Sequence, residues 1–239
     1  LIEIRNINKF YGTSHILKDI NFTLNSGEIV CILGRNGAGK TTLIDCILDL
    51  NKHEFKEKKF FSKNFSSLDS IIKYKIGVQP QVAELFPQQT VYETLSLFNS
   101  FKNNKTDINR IIEIFDFNKI KNKKIKQLSV GQKQRLIVSL SFIGSPSIII
   151  LDEPTAGIDP QIKRLIWTQL SNFISDYTSI IYTTHDMNEA ENFSDRIIII
   201  DQGEIIEDST PKSLLIKYNA NNIEEVFIKS TGYDLREED

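Results

Sequence analysis

Several things are scarce in this 239-residue chain, and each scarcity excludes a class of protein. Cysteine occurs twice, at Cys31 inside an apolar run and at Cys46 in a helical pattern, so a disulfide-stapled secreted scaffold is excluded. Both are expected to be buried thiols of a reducing compartment. No apolar run approaches the roughly 18 to 20 residues needed to span a bilayer. Leu1-Ile2-Glu3-Ile4-Arg5 alternates like a strand and lacks the pattern of a signal peptide. Charge of one sign is missing too: the net charge is −2, which gives no global basic signature for nucleic acid. Neither an internal repeat nor a low-complexity linker is visible. The expectation is a soluble intracellular protein whose membrane role, if it has one, runs through a partner.

What is present begins with Gly34-Arg35-Asn36-Gly37-Ala38-Gly39-Lys40-Thr41-Thr42, placed directly after the apolar strand Ile29-Val30-Cys31-Ile32-Leu33. Gly, four residues, Gly-Lys and then Thr is the phosphate-loop pattern. Its glycines let successive backbone N–H groups turn inward to phosphate oxygens. Lys40 reaches the β- and γ-phosphates in this reading, and the Thr41 hydroxyl is a ligand for Mg²⁺. The helix from about Gly39 to Leu48 directs the positive end of its dipole to the same place. Nucleotide binding follows; the use made of the nucleotide does not.

Periodicity organises the rest. Alternating strands over Ile2 to Leu24 break at Gly12-Thr13-Ser14, and a short strand lies around Lys75 to Gln79. Residues 91 to 117 are helical in period with no strand between them. Then helix 130–143, strand Ile148–Leu151, helix 160–175, strand Ser179–Tyr182, a short helix near 187–193 and strand Arg196–Ile200 alternate, and a helical tail follows Pro211. Uniformly apolar strands separated by helices imply an α/β fold with a mostly parallel sheet covered on both faces. The stretch from Lys52 to Phe65 is basic and aromatic, and reads as a solvated hairpin rather than a nucleic-acid patch.

Strand Ile148–Leu151 ends in Asp152-Glu153-Pro154. A carboxylate at the C-terminal end of a buried strand is the metal partner a phosphate loop needs, and the next carboxylate is placed to polarise water. Asp152 is therefore assigned to Mg²⁺ and Glu153 to the general base. Taken alone, an acidic turn before proline would explain the pair.

Leu128-Ser129-Val130-Gly131-Gln132 resembles the Leu-Ser-Gly-Gly-Gln signature of ATP-binding cassette (ABC) ATPases, with Val130 in the place of the first glycine. A helix cap alone would explain Ser129 equally well. Other positions match the family in order. Tyr11 matches the adenine-stacking aromatic. Gln81 matches the Q-loop glutamine that senses Mg²⁺ and water, with Gln79 a close competitor. Asp159 in Gly157-Ile158-Asp159 matches the D-loop, and His185 the switch histidine on the γ-phosphate. His15 and His53 have no such match and read as surface or satisfied core residues.

The resemblance covers residues 1 to 210 and implies a P-loop NTPase core (1–81 and 145–210) with an N-terminal antiparallel β-subdomain. It further implies an inserted helical subdomain (82–144) and a C-terminal tail (211–239). ATP and Mg²⁺ are the implied cofactors. The nucleotide site would comprise Tyr11, Gly34, Arg35, Asn36, Gly37, Ala38, Gly39, Lys40, Thr41, Thr42, Gln81, Ser129, Gly131, Gln132 and Asp159. Thr41, Gln81 and Asp152 would attend the metal, and Glu153, His185 and Lys40 the chemistry. The implied partners are a second copy, or a related ABC ATPase, paired head to tail around two ATP, and a separate integral-membrane permease at the cytoplasmic face of the membrane.

The segment Ile223 to Gly232 resembles the tail of drug, antibiotic-peptide and ion exporter ATPases. The alternative is a soluble ABC-type ATPase acting on nucleic acid or ribosomes. The single cassette and the lack of long coiled coils disfavour it, so no nucleic-acid partner is expected. A metabolic kinase would leave the segment Leu128 to Gln132 unexplained.

Overall fold

The computed structural model describes residues 1–61, 63–64, 75–173 and 178–232. In chain order the strands and helices are β1 (Ile2–Tyr11), β2 (Ser14–Leu24), β3 (Ile29–Leu33), α1 (Lys40–Ile47), β4 (Glu57–Phe60), β5 (Lys63–Asn64) and β6 (Ile76–Gln79). Next come α2 (Val91–Ser100), α3 (Ile108–Ile114), α4 (Val130–Leu140), β7 (Ile148–Asp152), α5 (Pro160–Phe173) and β8 (Ser179–Thr184). The chain ends with α6 (Met187–Phe193), β9 (Arg196–Asp201), β10 (Glu204–Ser209), α7 (Pro211–Tyr218) and α8 (Ile223–Thr231). Two compact units result, one from Leu1–Asp69 with Ile181–Asp239, the other from Ser70–Ile180.

In the first unit β1 and β2 pair antiparallel, with Ile4, Ile7, Leu17, Ile20, Phe22 and Leu24 buried along their alternating inner faces. The sheet runs β2-β1-β4-β5. Beside it, β3 pairs in parallel with β9, Val30 opposite Arg196 and Leu33 opposite Ile199, and β10 closes antiparallel on β9. Val30 to Leu33 and Ile197 to Ile200 are fully buried, as central parallel strands require. Asp195 accepts a hydrogen bond from the Ile29 N–H at 2.9 Å and so holds the start of β3.

In the second unit β6 pairs in parallel with β7, Ile76 opposite Ile148 and Gln79 opposite Leu151. Gly77 lies so close to the end of α4 that a Cβ would stand 1.8 Å from the Ser141 carbonyl oxygen. No larger residue fits there. Thr90 opens α2 with a reciprocal capping box, its hydroxyl accepting from the Glu93 N–H while the Glu93 carboxylate accepts from the Thr90 N–H. That carboxyl is accordingly held below its ordinary range, first by the Thr90 backbone bond.

Two outcomes differ from the sequence expectations. The strand β10 is absent from those expectations because an edge strand of composition Glu-Ile-Ile-Glu-Asp-Ser, half-exposed along its length, carries little hydrophobic signal. The helical run 91–117 does hold helices α2 and α3 with no strand between them. The stretch after Lys52 does pair as a hairpin, β4 with β5, but it is not a solvated one. Lys58 and Phe60 are buried, and the Lys58 ammonium donates to the Asp49 carboxylate at 2.6 Å and to the Cys46 carbonyl at 3.1 Å. Burial pulls the Lys58 pKa down, and the Asp49 partner opposes that shift. His53 is likewise buried, its Nδ1 2.8 Å from the Asn51 carbonyl oxygen. Residues 62 and 65–70 of this stretch, like the polar end Arg236 to Asp239, lie outside the described residues.

Candidate nucleotide-binding site

The phosphate loop leaves β3 at Gly34, where a Cβ would stand 2.5 Å from the Ile200 carbonyl oxygen. Gly37 (φ 78°) and Gly39 (φ 112°) both take left-handed backbone, which L side chains adopt only at a cost. A Cβ on Gly37 would meet nothing within 4 Å, so the loop is open at that position. The Lys40 side chain is buried and bends back over the loop, donating to the carbonyls of Gly34 (2.8 Å) and Arg35 (3.1 Å). Helix α1 then starts from Gly39 with no side-chain cap. Its first N–H groups are therefore not spent on a capping side chain, the condition for an anion site. Asn36 and Thr41 are exposed, Arg35 and Thr42 half-buried.

Elsewhere in this unit, Tyr11 ends β1 with its ring half-exposed, and the Lys9 ammonium stands 4.4 Å from the ring centroid. That cation holds the ring in place. His15 is a surface residue, stacked on Phe10 with ring centroids 4.1 Å apart. His185 is exposed between the end of β8 and the start of α6. Its flanks are tied down: the Asp186 N–H donates to the Thr184 hydroxyl at 3.0 Å, and that hydroxyl donates to the Glu189 carboxylate at 3.0 Å. The Asp186 side chain caps α6. Both thiols are free and buried, as the sequence implied. Burial pushes the Cys46 thiol up to about 11 and raises that of Cys31, which bonds to Tyr182. Neither is a nucleophile at neutral pH.

In the second unit β7 is buried throughout and delivers Asp152, 3% exposed, at its C-terminal end. Glu153 follows with φ 48°, a left-handed conformation unusual for a residue of its type. Gln134 of α4 donates to the Pro154 carbonyl at 2.8 Å, which binds the segment just beyond Glu153 to the helix that opens at Ser129. A Cβ on Gly131 would approach Ile162 of α5 to 3.0 Å, so this glycine also serves the packing of α4 on α5. Ser129 and Gln132 form a reciprocal capping box: the Ser129 hydroxyl accepts from the Gln132 N–H (3.2 Å), and the Gln132 side chain from the Ser129 N–H (3.1 Å). Val130 is 76% exposed. Asp159 is exposed and accepts from the Gln161 N–H at 2.8 Å, opening α5. Gln81 is exposed, whereas Gln79 is buried, its amide donating to the carbonyls of Pro80 (2.7 Å) and Asp152 (3.3 Å).

Sequence reasoning missed the contributions of Lys9 and Gln134, and weighed Gln79 only as a competitor to Gln81. All three donate to backbone carbonyls, for which a motif carries no signal.

Among the described residues no group of three or more His, Cys, Asp or Glu side chains could cage a metal. Mg²⁺ binds through one or two carboxylates together with substrate phosphates. The loop nest of the first unit and the buried Asp152 carboxylate of the second are each, by their chemistry, groups of the kind an ATP·Mg²⁺ complex uses.

Comparison with known proteins decides the family, because the ABC transporter family model matches residues 17–156, more than half of the chain. The chain belongs to that family. It is 33% identical over 219 residues to the Nod factor export ATP-binding protein I of Burkholderia orbicola, covering 90% of this chain and 72% of that protein. It is 32% identical over 236 residues to ABC transporter G family member 20 of Dictyostelium discoideum. That match takes in 95% of this chain but only 32% of the larger protein, so the cassette spans about a third of that relative. A solved ATP-binding cassette, described as a dimeric post-hydrolysis state bound to ADP and Pi, superposes with a TM-score of 0.78 at 28% identity. It covers 88% of this chain, which covers 98% of it. The cassette therefore has the P-loop NTPase α/β fold of ABC ATPases. Its named relatives are transporter proteins, which favours the transporter reading over the soluble nucleic-acid or ribosome alternative.

Proposed function

We propose that this cassette binds and hydrolyses ATP as the motor subunit of a membrane exporter. The observation that carries the proposal is the loop Gly34–Thr42, an open nest of left-handed glycines with a buried lysine and an uncapped helix behind it. Mg²⁺ supplies neutralisation of phosphate charge in phosphoryl transfer. Thr41 and Asp152 would hold it, with Gln81 reaching its water shell. The backbone of the loop, Arg35 and Asn36 included, cradles the phosphates, and Tyr11 stacks on the base. Glu153 takes a proton from the attacking water, while Lys40 and His185 stabilise the charge that develops on the γ-phosphate.

Ser129, Gly131, Gln132 and Asp159 act across a dimer in this scheme, each chain closing on the nucleotide of the other. The dimeric cassette bound to ADP and Pi supports that arrangement. No helix among the described residues is long and apolar enough to cross a membrane. In this reading the work is delivered through an integral-membrane permease partner at the cytoplasmic face. The helical lobe 82–144 would meet it, beginning at Gln81 to Glu93, where Val82 and Phe86 are exposed. Export, rather than import, is supported by the Nod factor export relative and by the tail Ile223–Gly232.

The test is Glu153→Gln. ATP binding persists, turnover falls about 10³-fold, and an ATP-dependent dimer accumulates on size-exclusion chromatography. Unchanged steady-state hydrolysis would remove Glu153 from the mechanism.

A further inference from the structure

Gln79 is the last residue of β6, paired in parallel with Leu151 of β7, and is 1% exposed. Its Nε2 lies within hydrogen-bond reach of two carbonyl oxygens, Pro80 at 2.7 Å and Asp152 at 3.3 Å. Two acceptors fix the amide orientation, since Oε1 in that place would be repelled by both. Oε1 is then left buried with no hydrogen-bond partner among the described residues. A buried, half-satisfied amide is a poor choice for stability, because an aliphatic side chain of similar shape would avoid the orphaned acceptor. What the amide provides is therefore the two bonds it donates.

Their placement gives them a use. The Asp152 carbonyl belongs to the peptide joining Asp152 to Glu153, and rotation of that peptide changes φ of Glu153, which sits at 48°. Pinning the carbonyl holds both the Asp152 backbone and the left-handed turn that presents Glu153. The other bond grips the residue before Gln81. One buried amide thus joins the segment that carries Gln81 to the peptide that carries both carboxylates.

We propose that Gln79 is a positioning residue that fixes the Asp152–Glu153 peptide and couples it to the Gln81 segment. The proposal rests on the reading above in which Asp152 holds the metal and Glu153 activates water.

The test uses the whole chain and the variant Gln79→Met, similar in length but without a donor. In Gln79→Met the affinity of the ATP-bound chain for Mn²⁺, read by electron paramagnetic resonance, falls about tenfold, and turnover falls with it. ATP affinity measured in EDTA stays at the wild-type value, and the melting temperature is unchanged or higher.

Wild-type Mn²⁺ affinity and turnover in Gln79→Met overturn the proposal. So does a parallel loss of ATP affinity in EDTA, or a melting temperature lowered by more than about 5 °C, either of which makes the amide a requirement of the fold. Wild-type hydrolysis by Lys40→Ala would instead overturn the ATPase reading, and the Mn²⁺ and EDTA measurements still decide the role of Gln79 in that case.

Discussion

Helices α1 and α4 both open at a segment assigned to phosphate, yet their N-termini are built in opposite ways. Helix α1 begins at Gly39, which has no side chain and sits at φ 112°, so its N-cap residue supplies no side-chain cap. Helix α4 begins at Ser129, which exchanges hydrogen bonds with Gln132 in a closed box. The N-cap of the first end spends no donor of the helix, and that of the second takes part in a box that spends two. A helix N-terminus is therefore not one kind of site. In the proposed scheme the loop holds nucleotide within one chain, whereas the Ser129 segment is satisfied by its own box until a phosphate of a partner's nucleotide takes the place of the Ser129 hydroxyl as acceptor of the Gln132 N–H.

Lys40→Ala breaks the comparison at its stronger side. It removes the one buried cation of the loop, and turnover per unit ATP falls about 10³-fold, measured by phosphate release under subsaturating ATP. Ser129→Ala opens the box at the other end. It costs about 1 kcal/mol of stability, seen by urea denaturation, and slows turnover about tenfold, while ATP affinity of the isolated chain is unchanged. An equal loss of ATP affinity in Ser129→Ala would erase the distinction between the two ends. Val130→Gly sharpens it with the smallest effect. Val130 is 76% exposed and packs on little, so the variant loses roughly 0.5 kcal/mol of helix propensity, and its turnover stays within about twofold of wild type. A large gain in ATP-dependent dimer formation would show instead that the β-branched side chain crowds the partner's nucleotide.

Much of this was legible because the motifs are contiguous. Gly34 to Thr42 spells out both the turn and its ligand, and strand Ile148–Asp152 with its terminal carboxylate reads directly from four apolar residues and an acid. The short helix Met187–Phe193 lies where the periodicity put it, and the structure shows Asp186 capping it. What was hidden depends on partners distant in sequence. A lysine in a run of charge reads as solvated until Asp49 is found 2.6 Å from the Lys58 ammonium, and β10 reads as a loop until β9 pairs with it. Gln79 and Gln81 are alike as letters on either side of a proline. Only burial separates the one that grips backbone from the one that faces solvent.

The pairing of β3 with β9 has a temporal side. The Ile29 N–H bonds to a carboxylate 166 residues later in the chain, and the strand feeding the phosphate loop lies beside one from that same distant region. On a ribosome adding about 5 to 20 residues per second, the partner emerges on the order of ten to thirty seconds after β3. Through that interval an all-apolar strand waits with an open edge, exposed to mispairing and to holdase chaperones. The nucleotide cradle is thus among the first parts of the cassette to be synthesised and among the last to be finished, and a nascent chain stalled before Arg196 should lack the neighbour that completes it.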